Sequence, residues 1–274
     1  MSDEPQRIDR RKALKLGAFG ALAAGGLATP LPALAAPAYT SAVEPRPADW
    51  ALRWNPSPAV DKLQAFEGLE DDRSGSHPGV KHIHALADHW RFDMHTRDRD
   101  GSDRQRNESK GMRSGGTLHK IQEGQTWRIT YQTYIPSSLT ATTRFSHIFQ
   151  MKVQDVGGPL ITMTLRERNG PKIEMLTLRD NDANTVHAPV PLTPLQNKWI
   201  DIEFEVKAVN SGGYVRWVIK DGGRVVQDYR TTAVDMWRNK NYLRPKWGIY
   251  RSIESSGLKD CYQLIRGYKG YILQ

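Results

Sequence analysis

Three short stretches of the chain carry side chains able to move protons and stabilise charge. Lys246-Trp247-Gly248-Ile249-Tyr250-Arg251 reads as a strand near the C-terminus. Alternate strand residues point to the same side, so Lys246, Gly248 and Tyr250 share one face; Arg251 belongs to the other and drops out. A glycine between two long polar side chains opens room for close approach of a ligand. A phenol beside an ammonium is a plausible proton donor or acceptor, because a nearby positive charge favours the phenolate. The second stretch is Ser146-His147-Ile148-Phe149-Gln150-Met151-Lys152. Its alternation puts Gln150 and Lys152 on one face with Ile148, and His147 on the opposite face unless a bulge intervenes. The third is Arg106-Asn107-Glu108, where a carboxylate two residues from an arginine can hold the guanidinium by a charge-assisted pair. Two bland alternatives stand beside these: a core tyrosine with a satisfied hydroxyl for Tyr250, and a surface ion pair for Arg106. His95 and His119 lie on flanking segments within reach of the same face.

Strands must position these groups. Runs with period-two alternation, separated by Gly, Pro, Asn and Asp, predict strands over Trp90–His95, Thr126–Ile135, Ser146–Val153, Leu160–Arg168, Lys172–Leu178, Trp199–Val206, Tyr214–Lys220, Arg224–Arg230, Pro245–Ser252 and Gln263–Leu273. Asp221-Gly222 between two of them is a hairpin signal. Only Val60–Phe66 and Ala233–Asn239 have a pattern compatible with short helices. Strands at roughly ten-residue spacing argue for an all-β sandwich or jelly roll. The charged segment Asp98–Lys110 reads as a solvated loop whose end, from Arg106, starts a strand. No internal repeat is present.

The first 35 residues read as an export signal. Asp9-Arg10-Arg11-Lys12 is followed by an Ala/Gly/Leu-rich stretch and a small-x-small site at Ala33-Leu34-Ala35, as in a twin-arginine signal. The expected partner for this step is the twin-arginine export machinery, and the expected location is periplasmic or extracellular in a bacterium. Residues 36–60, rich in Pro and Ala, read as a linker or an arm laid over the domain of residues 61–274. The whole chain carries a formal net charge of +9, a surplus suited to an acidic polymer partner. No nucleic-acid partner is expected, and no later segment is apolar for long enough to span a membrane. The single cysteine, Cys261, excludes an intramolecular disulfide and argues against a cysteine metal site.

The three motifs resemble those of the jelly-roll polysaccharide lyases of the alginate, glucuronan and heparin lyase type. That group shows R-x-E, then Q-x-H or Q-x-K, then K-x-G-x-Y, matched here in order by Arg106/Glu108, Gln150/Lys152 and Lys246/Gly248/Tyr250. Gly124-Gln125-Thr126-Trp127, Tyr134-Ile135-Pro136 and Asn197-Lys198-Trp199 also look like this group. The resemblance covers most of residues 85–270. It implies a concanavalin A-like β-jelly roll of two antiparallel sheets and β-elimination at a uronic acid. Arg106 and Gln150 match the positions that neutralise the uronate carboxylate, and Tyr250 matches the catalytic tyrosine with Lys246 alongside. Lys152, Glu108 and His147 are the expected substrate-binding residues. Lys152 departs from the histidine usual in alginate lyases, which leaves the base open between Tyr250 and a histidine. The resemblance implies no redox or organic cofactor, with room left for a structural calcium ion.

Two alternatives come from other residues. Asp201, Glu203 and Glu205 share one face of a strand and resemble the paired carboxylates of jelly-roll β-glucanases, a glycoside hydrolase arrangement, displaced by one step. A non-catalytic carbohydrate-binding jelly roll is the other. His82, His84 and His89 lack a carboxylate or cysteine at ligand spacing and read as a His-rich loop.

Overall fold

The alternating runs form strands because each can bury one face between two sheets. The computed structural model describes residues 47–178, 184–231, 234–238 and 241–274. The expected export signal and residues 36–46 lie outside these.

The strands are β1 Trp50–Trp54, β2 Gly68–Asp71, β3 Ile83–Ala85, β4 Trp90–Met94, β5 Arg104–Lys110, β6 Met112–Ser114, β7 Thr117–His119, β8 Thr126–Tyr134, β9 Ser146–Val153, β10 Ile161–Glu167, β11 Pro171–Leu178, β12 Asn184–Pro191, β13 Trp199–Lys207, β14 Tyr214–Asp221, β15 Arg224–Arg230, β16 Leu243–Ser252 and β17 Cys261–Leu273. One sheet runs β15-β14-β13-β8-β17-β4-β3, with β1 also on β17; the other runs β12-β11-β10-β9-β16-β5-β2. Pairing is antiparallel throughout both. The result is an all-β jelly-roll sandwich.

Between the sheets lies an aromatic core. Phe149 of β9 stacks on Phe204 of β13 at 4.3 Å between ring centroids, and Trp247 of β16 stacks on Trp54 of β1 at 5.4 Å. Ring pairs of this kind add to the burial of their own area. β1 falls within residues expected to form an arm, and its closing residue, Trp54, is fully buried. Its indole N–H donates to the Arg113 carbonyl at 3.1 Å.

Three local expectations need correction. Val60–Phe66 contains only a 3₁₀ turn, Lys62–Ala65. Within the expected helix Ala233–Asn239, the described residues 234–238 are not helical. Val234 bridges Gly213 and the Met236 N–H donates to Val209, so this backbone is already used in loop pairing. The run Asp98–Lys110 is not a solvated loop: β5 occupies most of it, and Asp98 and Asp100 turn inwards onto cationic or imidazole partners. Asp221 and Arg224 pair across Gly222-Gly223, both at positive φ, as a tight two-residue hairpin requires.

Candidate active site on the outer face of the seven-stranded sheet

β5, β16 and β9 lie side by side in the centre of the seven-stranded sheet, and they carry all three motifs. The register of β5 and β16 is regular, with Tyr250 opposite Arg106 and Gly248 opposite Glu108. Between β16 and β9 it is not. Lys246 pairs with Gln150 and Tyr250 with His147, so four residues of advance on β16 match three on β9. The slip on the far side of β9 has the opposite sense: Thr162 pairs with Gln150 and Thr164 with His147, so two residues of advance on β10 match three on β9. Against β10 the extra residue is Ile148. It and Phe149 are both in the core, and the strand beyond them is re-phased. A bulge of this kind re-aims a side chain without ending the sheet.

The bulge overturns the face expected for His147. His147 joins Gln150, Lys246 and Tyr250 on the outer face, while Ile148 leaves the face it was expected to share with Gln150. The His147 ring lies 5.7 Å from the Tyr250 ring, and Phe145 packs against both, 5.1 Å from His147 and 4.9 Å from Tyr250. Burial first, then the charges of Arg166, Arg106 and Lys246, push the imidazole down to about 3, so it is neutral over the ordinary pH range. Its Nδ1 is sealed from solvent without a hydrogen-bond partner among the described residues.

Beneath this pair lies a charged network. Glu108 has no exposed surface; it accepts from Gln150 Nε2 at 2.6 Å, Lys246 Nζ at 2.7 Å and Arg106 Nη1 at 3.2 Å. Glu70 of β2 accepts from Lys246 at 2.6 Å and from Arg106 at 3.1 Å. Burial opposes ionisation of Glu70, but Lys246, Arg106 and Arg73 outweigh it and hold the carboxyl at about 2. Arg106 Nε reaches Asp100 at 2.8 Å, and its guanidinium lies over the Tyr250 ring, 3.8 Å from the centroid. Its Nη2 has no partner among the described residues.

These contacts reassign several expected roles. Glu108, expected to bind substrate, is buried and instead positions Arg106, Gln150 and Lys246. Lys246, expected to act on the phenol, gives its hydrogen bonds to Glu70 and Glu108. The cation bonded to the Tyr250 hydroxyl is Arg104, whose Nη1 donates at 2.7 Å. The motif reading missed Arg104, although its place two residues before Arg106 puts it on the same strand face. Gly248 does not open the outer face either. It sits at φ +120°, and a Cβ there would meet the Asn107 carbonyl oxygen and come within 2.8 Å of the Phe92 ring. The glycine serves the backbone at the bulge.

Lys152 lies one step beyond Gln150 on the same face, half-buried. Burial, with Lys246, Arg244 and Arg106, lowers its pKa. On the other side of His147 a depression is lined by His147, Thr162, Thr164, Arg166, Arg168 and Leu176, among others. Arg168 lies 3.3 Å from the buried Glu174.

The remaining candidates lie elsewhere. His119 Nε2 lies 2.6 Å from Ser114 Oγ. His95 packs against His77 and His82. Arg251 is buried, with Nε donating to Gln105 at 2.6 Å. Asp201, Glu203 and Glu205 lie on the opposite sheet, where Gln132 donates to Asp201, Arg128 pairs with Glu203, and Arg128 and Tyr214 both engage Glu205. They are therefore tied up away from the three motifs. His84 and His89 sit beside the Lys81 carbonyl and Asp88.

No protein-family model matches this chain, and no curated protein matches it in sequence. Solved structures match it in fold. A double variant of alginate lyase A1-II' superposes with a TM-score of 0.52 at 11% identity, over 78% of this chain and 97% of that one. Alginate lyase Aly36B gives 0.52 at 10% identity, over 81% and 96%. A family 7 alginate lyase A1-II' variant in complex with substrate gives 0.50 at 10% identity, over 82% and 93%. The chain shares the jelly-roll fold of these solved structures. Among its described residues no helix is long and apolar enough to cross a membrane.

Proposed function

We propose that this chain is a polysaccharide lyase that cleaves a uronic-acid-containing polymer by β-elimination. The observation that carries the reading is the bulge at Ile148, which brings His147 onto the face of Gln150, Arg106 and Tyr250. Elimination needs four things at one uronate: neutralisation of the carboxylate, a base for the C5 proton, an acid for the departing O4, and stabilisation of the enolate-like intermediate. The free Nη2 of Arg106 and the second amide N–H of Gln150 are suited to the carboxylate. His147, neutral in the free protein, takes the proton at C5. Tyr250 protonates the leaving oxygen as the C4–O bond breaks and the C4–C5 double bond forms. Arg104 and Arg106 stabilise the charge that develops on the phenolic oxygen during that transfer. Lys246, Glu70 and Glu108 form the rigid base beneath.

The polymer panel is alginate, glucuronan, heparin-type and pectic chains, and the readout is the ultraviolet absorbance of the new conjugated double bond. Tyr250→Phe is expected to abolish turnover while leaving folding and polymer binding largely intact. Wild-type turnover by that variant would sink the assignment. Binding by the unaltered chain with no unsaturated product from any polymer would favour a carbohydrate-binding jelly roll instead. The reading includes export by the twin-arginine route to the periplasm or beyond, and an acidic polysaccharide as the partner.

A further inference from the structure

Behind β5, on the side away from Arg106, four side chains from two segments converge: His77 and His82 before β3, and His95 and Asp98 after β4. One ligating atom from each lies within 4.8 Å of those from the other three. We propose that this cluster is a structural site for a tetrahedrally coordinated divalent transition metal, with Zn²⁺ as the natural occupant.

The ring geometry fits metal ligation, and of the imidazole contacts to Asp98 only that of His77 is also a hydrogen bond. The three imidazole rings form a nearly equilateral triangle, with centroids 5.4, 5.0 and 5.2 Å apart. Imidazoles on a tetrahedral zinc, with Zn–N near 2.05 Å, have ring centroids about 5.2 Å apart. Asp98 Oδ1 lies 2.8 Å from His77 Nδ1 and 3.3 Å from His82 Nε2, and Oδ2 lies 3.4 Å from His95 Nδ1. Adjacent donor atoms on such an ion are about 3.4 Å apart.

The decisive group is His82, which has no exposed surface. Its Nδ1 lies 2.7 Å from the Asp71 carboxylate and therefore carries a proton. Its Nε2 is buried, faces the cluster, and has no hydrogen-bond partner among the described residues; the same holds for His95 Nδ1. A buried imidazole lone pair aimed at a buried carboxylate is unfavourable unless a cation lies between them. A carboxylate holding the far nitrogen of a ligating histidine is the usual outer partner at zinc, fixing tautomer and ring orientation. His77 and His95 keep some exposure, which gives the ion a way in.

The site has a structural task. His82 precedes β3, His95 follows β4, and Asp71 ends β2 in the other sheet, so the ion joins the two sheets at one end. It also fixes the bend after Asp98, where Gln105 Nε2 donates to the carbonyls of His95, Thr96 and Asp98. That bend delivers Asp100 to Arg106. This inference is independent of the lyase reading, because metal content and melting temperature are measured without any polymer.

The test uses the untagged chain. Elemental analysis is expected to find about one zinc per chain, and chelation is expected to lower the melting temperature, with recovery on adding Zn²⁺ alone. His95→Ala, at a part-exposed position, is expected to fold and to lose the metal. Asp71→Asn is expected to weaken Zn²⁺ binding by about 10- to 100-fold. His84→Ala, outside the cluster, is expected to keep the metal. Replacement by Co²⁺ is expected to give the intense visible bands of a tetrahedral centre. A chain that is metal-free after growth with zinc, and whose melting temperature Zn²⁺ does not raise, would overturn the proposal. So would full zinc retention by His95→Ala.

Discussion

Lys246 is the cation on which the buried network turns. Its ammonium sits between Glu70 and Glu108, with 2% of the side chain exposed. Lys246→Met keeps most of the volume but leaves Glu108 with Arg106 and Gln150, and Glu70 with Arg106 and the more distant Arg73 and Lys110. The expected cost is about 3–5 kcal/mol, the usual penalty for breaking a buried pair from one side, read by denaturant unfolding. A loss below about 1 kcal/mol would mean that the remaining cations, Arg106 first, compensate both acids. The same residues set a pH window. Glu70 is held at about 2 against an ordinary 4.5, so its stabilisation is full above 4.5 and is lost as pH falls towards 2. His147 is held at about 3 against 6.5; the unfolded chain binds the proton first, so stability also falls from pH 6.5 downwards. The melting temperature is expected to decline in two overlapping stages, the upper one from His147 and the lower from Glu70. His147→Gln should remove the upper stage and leave the lower; retention of both would assign the upper stage to other histidines.

At the scale of strands, Gly248 and Ile148 decide the site together. Two residues of β16, Gly248 and Ile249, stand where β9 offers only Ile148. Gly248→Ala places a side chain at φ +120° against the Asn107 carbonyl and the Phe92 ring. A cost of about 3 kcal/mol is expected from strain and overpacking, and turnover should fall as well because the re-phasing shifts. Unchanged unfolding with unchanged turnover would show that the bulge survives without glycine. This element also marks where sequence reading stopped. Ten strands were legible because alternation over six or more residues has one stable solution in a two-sheet sandwich. β2, β3, β6 and β7 were not, being three or four residues long, and β12 was hidden by Pro189 and Pro191, which an edge strand tolerates. In Ser146–Lys152 the alternation breaks only at the adjacent apolar pair Ile148-Phe149, a sign of the bulge that a period-two reading of the strand passes over. Arg106, Gln150 and Tyr250 were therefore readable as a set, whereas the side of His147 and the phenol's partner Arg104 needed the register. The histidine cluster was unreadable for another reason: its members are scattered over His77–Asp98, and only the meeting of β2, β3 and β4 gathers them.

For the molecule as a whole, the net charge of +9 matters less than where uncompensated cations lie. Arg106 and Lys246 are already paired with buried acids, so they add little to the long-range field. Lys152 and Arg166 differ. Both are half-buried on the outer face of the seven-stranded sheet, neither has an ion pair within 4 Å among the described residues, and burial lowers the pKa of each. Lys152 lies two residues further along β9 than Gln150, away from His147, and Arg166 lines the depression beyond His147. They therefore bracket the proposed reacting sugar, in position to hold the uronates on either side of it. Charges that meet substrate away from the bond being broken contribute binding common to ground and transition states, which appears in KM. Lys152→Ala with Arg166→Ala is expected to raise KM on a polyuronate by about tenfold while changing kcat less than about twofold. Because these contacts are part-exposed and ionic, KM of the unaltered chain should climb as salt is added, and the double variant should climb less steeply. Equal salt slopes for the two proteins would move polymer capture to other cations on the molecule, and a fall in kcat equal to that in kcat/KM would place Lys152 or Arg166 in the chemical step itself.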